Sequence, residues 1–249
     1  MTGRLAVLVA LLLLPATASL ASDAIRAVEA FVARLAGVSV SEVAIEQTFT
    51  LYHPDGRHPQ SGGEQRVWLK VPRRQRVEEV VEGRRTVRVV VGDRAWERAH
   101  DGRVYEVPVD REHERTYLIM PLRRTAADLL AEWRALGVRD DVSHVTRVNG
   151  RLLTVIGAQP GERNVPSVWL DAEHGVVRFV RRERLPKGEV LVDLAFSEHR
   201  PITSGFAFPY RQEAFVDGKL LLLVVVRSVT LNGGIPDDLF EADALRRGK

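Results

Sequence analysis

The chain has no cysteine, two methionines and only four lysines in 249 residues. Without cysteine there is no thiol nucleophile, no thiolate metal site, no iron–sulfur cluster and no disulfide framework. Aromatic residues are sparse at 6%, and no low-complexity linker or fixed-period repeat divides the sequence. Charge of one sign is lacking too. The 36 basic residues face 33 acidic ones, and a net charge of +3 is too small for a nucleic-acid footprint. With four Lys, 32 of the basic residues are Arg. Arg grips phosphate and carboxylate bidentately, so an Arg surface could face anionic headgroups. Interleaving with acids, as in Arg181-Arg182-Glu183-Arg184, equally suits a solvated surface shaped by codon composition.

Catalytic patterns are missing as well. His53, His58, His100, His113, His144, His174 and His199 follow neither H-E-x-x-H nor H-x-H spacing. Ser197, Glu198 and His199 are adjacent in sequence, but a triad must converge in space, and no nucleophile elbow surrounds the serine. The expectation is a non-enzyme with no metal and no cofactor.

The N-terminus carries an address. Arg4 is followed by ten unbroken apolar residues, 5–14, then Pro15 and a small-x-Ala site at Ser19-Leu20-Ala21. This is the pattern of a secretory signal peptide. Ten apolar residues are too few to span a bilayer, which needs about 20. Residues 1–21 are therefore expected to be a cleaved leader, and 22–249 a single exported domain.

Beyond the leader one helix is expected over 23–36. Ile25, Val28, Phe31, Val32 and Leu35 recur at helical spacing, Ser22 or Asp23 can cap it, and Gly37 stops it. Strand alternation begins with Val43, Ile45, Phe49 and Leu51. Turn signals then recur at short intervals: Glu82-Gly83, Gly92-Asp93, Asp101-Gly102, Asn149-Gly150, His174-Gly175, Lys187-Gly188 and Asp217-Gly218. Pro54-Asp55-Gly56 and Ser61-Gly62-Gly63 bracket what reads as a loop. Roughly eleven to thirteen strands joined by tight turns make an antiparallel meander the economical topology. The seven apolar residues 220–226 read as a central strand, dry on both faces. A second helix interrupts the sheet at 126–136. Thr125 caps it, Asp128 completes a near capping box, and Leu129, Leu130, Trp133 and Leu136 form its apolar stripe.

Two helices cannot cover both faces of so long a sheet, so it must curl. The expected fold is mainly β (α+β): an incomplete antiparallel half-barrel with both helices as a lid over an apolar cavity suited to a lipid or acyl chain.

Several segments resemble the LolA/LolB-like lipoprotein carrier superfamily, in order, from about residue 23 to 243. They are Val67-Trp68-Leu69-Lys70-Val71-Pro72-Arg73-Arg74-Gln75-Arg76, then Val89-Val90-Val91-Gly92-Asp93-Arg94-Ala95-Trp96, then Val168-Trp169-Leu170-Asp171 with Gly175-Val176-Val177-Arg178, and finally Phe208-Pro209-Tyr210 and Ile235-Pro236-Asp237-Asp238-Leu239-Phe240. The resemblance implies a periplasmic carrier or chaperone for acyl chains of lipoproteins or lipids, working with inner- and outer-membrane transport components and without nucleic acid. It equally implies, as an alternative, a lipid-sensing regulatory module of the RseB type. In the carrier family an Arg precedes the Pro and ties lid to barrel. Here Val71 stands there, leaving Arg73, Arg74 or Arg76 as substitute tethers. Ile45, Phe49, Trp68, Val89, Val91, Trp96, Leu129, Leu130, Trp133, Trp169 and Phe179 are the candidates for cavity and lid. For the four Trp the other reading is plain core. Cargo is expected to enter beneath the 126–136 helix.

Overall fold

The structure, a computed structural model, describes residues 17–37, 39–109, 119–120, 125–185, 188–203 and 205–248. The leader read at 1–21 lies outside the described residues as far as residue 16. Its last five residues are helical: α1 runs Thr17–Ala36, not from residue 23. Of the expected stripe, Val28 and Phe31 are buried together with Ala24, while Ile25 is exposed.

Thirteen strands follow in one sheet: β1 (Glu42–Tyr52), β2 (Pro59–Lys70), β3 (Arg74–Val81), β4 (Arg84–Val91), β5 (Arg94–Arg98), β6 (Val104–Val107), β7 (Ser143–Val148), β8 (Arg151–Ile156), β9 (Ser167–Asp171), β10 (Gly175–Leu185), β11 (Gly188–Thr203), β12 (Phe206–Val216) and β13 (Lys219–Leu231). The spatial order is β6-β5-β4-β3-β2-β1-β13-β12-β11-β10-β9-β8-β7. Every sequential pair except β6 and β7 is joined antiparallel, as the turn signals predict. The turns at Glu82, Asn149 and Asp217 have φ of 50°, 49° and 48°, the left-handed geometry of tight hairpin turns.

One pairing goes beyond the hairpin reading. The first and last strands join, Phe49 opposite Val224 and Val43 opposite Leu231, so two meanders fuse into one sheet. The edges are then β6 and β7, and the chain between them must pass from one edge to the other. That connection carries α2 (Ala126–Ala135), whose Thr125–Asp128 capping box is formed on both sides.

The supposed loop at Ser61-Gly62-Gly63 is a correction: these residues lie inside β2. A Cβ on Gly63 would come within 2.3 Å of the Val80 carbonyl oxygen. The glycine permits close strand approach here and does not end the strand.

The inner face holds the main core. Val43, Ile45 and Phe49 of β1, Phe179 of β10, Leu194 and Phe196 of β11, and Val224 and Val226 of β13 share one cluster with Val28 and Phe31 of α1 and Leu129, Leu130 and Trp133 of α2. Both helices thus lie on the inner side. β13 is central but dry on one face only. Val224 and Val226 point inward, whereas Leu221 and Val225 are exposed on the outer face, because no element covers that side of β13 among the described residues.

The outer face is covered elsewhere. The chain after β13 forms a short 3-10 helix, Asp237–Phe240, and α3, Ala242–Arg246. Ile235, Phe240 and Leu245 pack with Val87 and Val89 of β4 in a second, separate cluster. Strand alternation explains the division: Trp68 faces the second cluster, while its neighbours Val67 and Leu69 face the first. No helix among the described residues is long and apolar enough to cross a membrane.

Candidate functional site

The inner face is not fully filled. Ala27, Ala30, Phe31 and Arg34 lie at i, i+3, i+4 and i+7, one stripe of α1. They roof a cavity of about 300 Å³ whose other wall is Val145 of β7, Leu152, Leu153 and Thr154 of β8, and Leu170 to Ala172 at the end of β9. Two of the roof residues are Ala, whose methyl groups cannot reach the sheet, so the gap follows from the sequence of α1. Val145 is 65% exposed and Leu152 57% exposed, and they mark an apolar mouth beside the edge strand β7.

The far end of α1 is fixed. Gly175 allows it, since a Cβ there would sit 2.5 Å from the Phe31 ring. The Arg34 guanidinium donates to the carbonyl oxygens of Glu173 and Gly205. Beside it, Arg151 donates twice to Asp171, at 2.6 and 3.0 Å, and once to Glu173. Burial opposes ionisation of Asp171. The Arg151 bonds and the backbone N–H groups of His174 and Glu173 outweigh it, and hold this carboxyl well below the usual carboxylate range. The cavity therefore has an apolar body and one polar, hydrogen-bonded end.

None of the eleven residues expected from sequence lines this cavity. Ile45, Phe49 and Phe179 are in the inner core, as are Leu129, Leu130 and Trp133 of α2. Trp68, Val89, Val91 and Trp96 pack in the outer cluster against the C-terminal segment. They belong to strands whose alternation turns those positions away from both helices. Trp169 also points outward: its Nε1 donates to Ser167 Oγ at 3.3 Å, and the Arg178 guanidinium lies 5.0 Å from its ring. The signal that could have located the cavity is the Ala-Ala-Phe-Arg stripe of α1, a helix expected to be part of the lid while cargo entry was placed beneath the other helix.

The lid tethers are corrected in the same way. Arg76 is fully buried, donating to Leu239 O at 2.9 Å and pairing with Glu78 at 2.7 Å. Arg74 pairs with Asp237 at 3.1 Å, and Arg73 is exposed. Both bonded arginines hold the C-terminal segment, not the lid. Lys70 joins them, 2.6 Å from Asp237 and 3.0 Å from Glu42, while Glu42 accepts from the N–H groups of Gly234 and Ile235. Among the described residues no group of three or more His, Asp or Glu is placed to hold a metal ion.

No protein-family model matches the sequence, and curated proteins give no significant match. Solved structures do match. A domain from Vibrio parahaemolyticus named for outer membrane lipoprotein sorting superposes with a TM-score of 0.56 at 12% identity, over 91% of this chain and 100% of that one. A DUF1329 family protein from Desulfovibrio piger gives 0.58 at 11% identity, over 91% and 99%. A LolA superfamily protein from Nitrosomonas europaea gives 0.53 at 12% identity, over 90% and 98%. The chain has the LolA-like fold, an open antiparallel half-barrel with helices laid across its inner face.

Proposed function

We propose that this protein is an exported periplasmic carrier that shelters the acyl chain of a lipoprotein or lipid beneath α1 while moving it between envelope membranes. The observation that carries the reading is the one-sided apolar cavity under a helix, with its mouth at Val145 and Leu152, on a fold shared with a lipoprotein-sorting domain. At about 300 Å³ the cavity is at the lower end of ligand pockets, so an acyl chain requires α1 to swing outward. Burying a large apolar side chain contributes roughly 1.5–3 kcal/mol. Val28 and Phe31 can thus hold α1 down and still be displaced by a longer acyl chain that covers the same surface. No covalent step is needed; a membrane or partner that accepts the chain completes the transfer.

Leu152→Asp tests the site. Leu152 is more than half exposed, so the fold should survive with its melting temperature nearly unchanged. A charge at the mouth should weaken a fluorescent fatty-acid probe at least tenfold, about 1.4 kcal/mol. Undiminished binding by the folded variant would remove the cavity from the mechanism.

Export rests on Arg4, the apolar run 5–14 and Ser19-Leu20-Ala21. Cleavage after Ala21 would shorten α1 by its first five residues and leave Ala24, Val28 and Phe31 in place. Intact-mass measurement of the protein from a periplasmic extract should give a chain starting at Ser22; one starting at Met1 contradicts it.

A further inference from the structure

The outer face carries a second concavity, which shares Leu153 and Asp171 with the cavity under α1. It encloses about 850 Å³ across β7 to β11, with Arg163 contributed from the β8–β9 connection. One side is apolar and planar: Val148, Leu153, Ala195 and the Trp169 ring. The polar side has an imbalance of donors over acceptors. Asp171 is occupied by Arg151 and the N–H groups of Glu173 and His174. Asp193, next to the groove, accepts both bonds from Arg178, at 2.9 and 2.7 Å. Glu198 is more than half exposed and stands 4.0 Å from Arg200.

The donors are less committed. Arg163 is exposed and has no partner among the described residues. His174 and His199 stack with ring centroids 4.4 Å apart. Nε2 of His199 is buried and has no hydrogen-bond partner among the described residues. Such an atom, at the wall of a concavity, is accounted for when a ligand or water bonds it. Burial, followed by the neighbouring His174, pushes His199 down to about 4, so at neutral pH the His199 ring is uncharged and offers an N–H group and a lone pair. Glu198 has φ 53° within β11, a strained conformation of the kind that gathers at ligand sites.

We propose that this outer groove is a second binding site, for a small amphipathic anion: a carboxylate or phosphate held by Arg163 and the donors around it, on an aromatic or aliphatic body laid along Trp169 and Leu153. Arg suits both anions because its planar fork matches their oxygens. The chemistry is the same whether the anion is a free solute or a lipid headgroup. The site does not depend on the carrier reading, since Arg163, Trp169, His174 and His199 do not line the cavity under α1.

The test uses the full chain and two probes. One is 2-naphthyl phosphate, titrated calorimetrically. The other is vesicles of phosphatidylglycerol, with phosphatidylcholine as the control. Naphthyl phosphate should bind, quench tryptophan fluorescence, and bind at least tenfold more weakly to Arg163→Glu, with Arg163→Lys losing no more than about threefold. Trp169→Phe should remove most of the quench, and binding of an uncharged fluorescent acyl ester, which has no carboxylate for Arg163, should not change in Arg163→Glu. Phosphatidylglycerol binding that disappears in Arg163→Glu, without binding of the soluble phosphate, would support the site and identify a headgroup as its ligand. The proposal fails if Arg163→Glu binds both probes like wild type, if neither probe binds wild type, or if the uncharged acyl ester displaces naphthyl phosphate.

Discussion

Trp133→Asp is expected to unfold the protein. Trp133 is 1% exposed and shares the inner core with Leu129, Leu130 and the facing strands. An ionised carboxylate there loses its hydration with no cation supplied, and even the protonated acid leaves a hole where the indole was. Substitutions of this kind exceed about 4–5 kcal/mol, against a total stability of about 5–15 kcal/mol for a typical domain. Far-ultraviolet dichroism and urea titration should show no cooperative transition. Trp133→Phe is the contrasting variant. Nε1 of Trp133 is buried without a hydrogen-bond partner among the described residues, and its removal partly offsets the lost ring volume. A loss of about 1–2 kcal/mol is expected, well below the range of about 3–5 for aromatic truncation to Ala. A folded Trp133→Asp with a normal urea midpoint would mean that α2 can leave the sheet, and would return it to the role of lid expected from sequence.

The second large effect is at Arg76. Its side chain is 0% exposed, bonded to Glu78 and to the Leu239 carbonyl 163 positions away. Removing one partner of a buried ion pair costs about 3–5 kcal/mol, because the remaining group stays buried without compensation. Arg76→Ala should fall in that range, moderated by Arg85, which also pairs with Glu78 at 2.7 Å. Arg76→Met keeps the volume and the apolar stem and should lose less. The two variants should also release the C-terminal segment, whose other polar holds include the Lys70 and Arg74 pairs with Asp237 and the Glu42 bonds to Gly234 and Ile235. Proteolysis near residues 236–248 should therefore speed up before global unfolding does, as expected for a locally held unit. Equal proteolysis rates in wild type and Arg76→Ala would show that apolar packing of Ile235, Phe240 and Leu245 holds the segment without the arginine.

These two sites show where sequence reading worked and where it stopped. Thr125 and Asp128 specified the start of α2 three residues apart, and their reciprocal bonds form as expected. The hairpins at Asn149 and Asp217 were equally legible, since a two-residue turn with positive φ is a local preference. Alternation in β1 correctly identified Val43, Ile45 and Phe49 as inward, whereas Leu51, expected with them, is exposed. Trp68 of β2 and Val89 and Val91 of β4, expected in the cavity, face the outer cluster instead. Trp68 and Val89 are apolar because a segment more than 140 residues later covers them, and period-2 patterning does not say which of two faces is inside.

The sequence by itself determined the local structure: two one-faced helices, a long run of antiparallel hairpins, and the exclusion of thiol chemistry. It also determined that so much apolar strand had to curl around something. Only the tertiary structure decided that β1 meets β13, that α1 and not α2 roofs the observed cavity, and that Arg74 and Arg76 bind the chain's own C-terminal segment. Hairpins and caps depend on residues a few positions apart, whose proximity the chain guarantees. The cavity is instead the space left between the alanines of α1 and a hairpin more than 110 positions later, and a gap between distant elements leaves no periodic mark in either one.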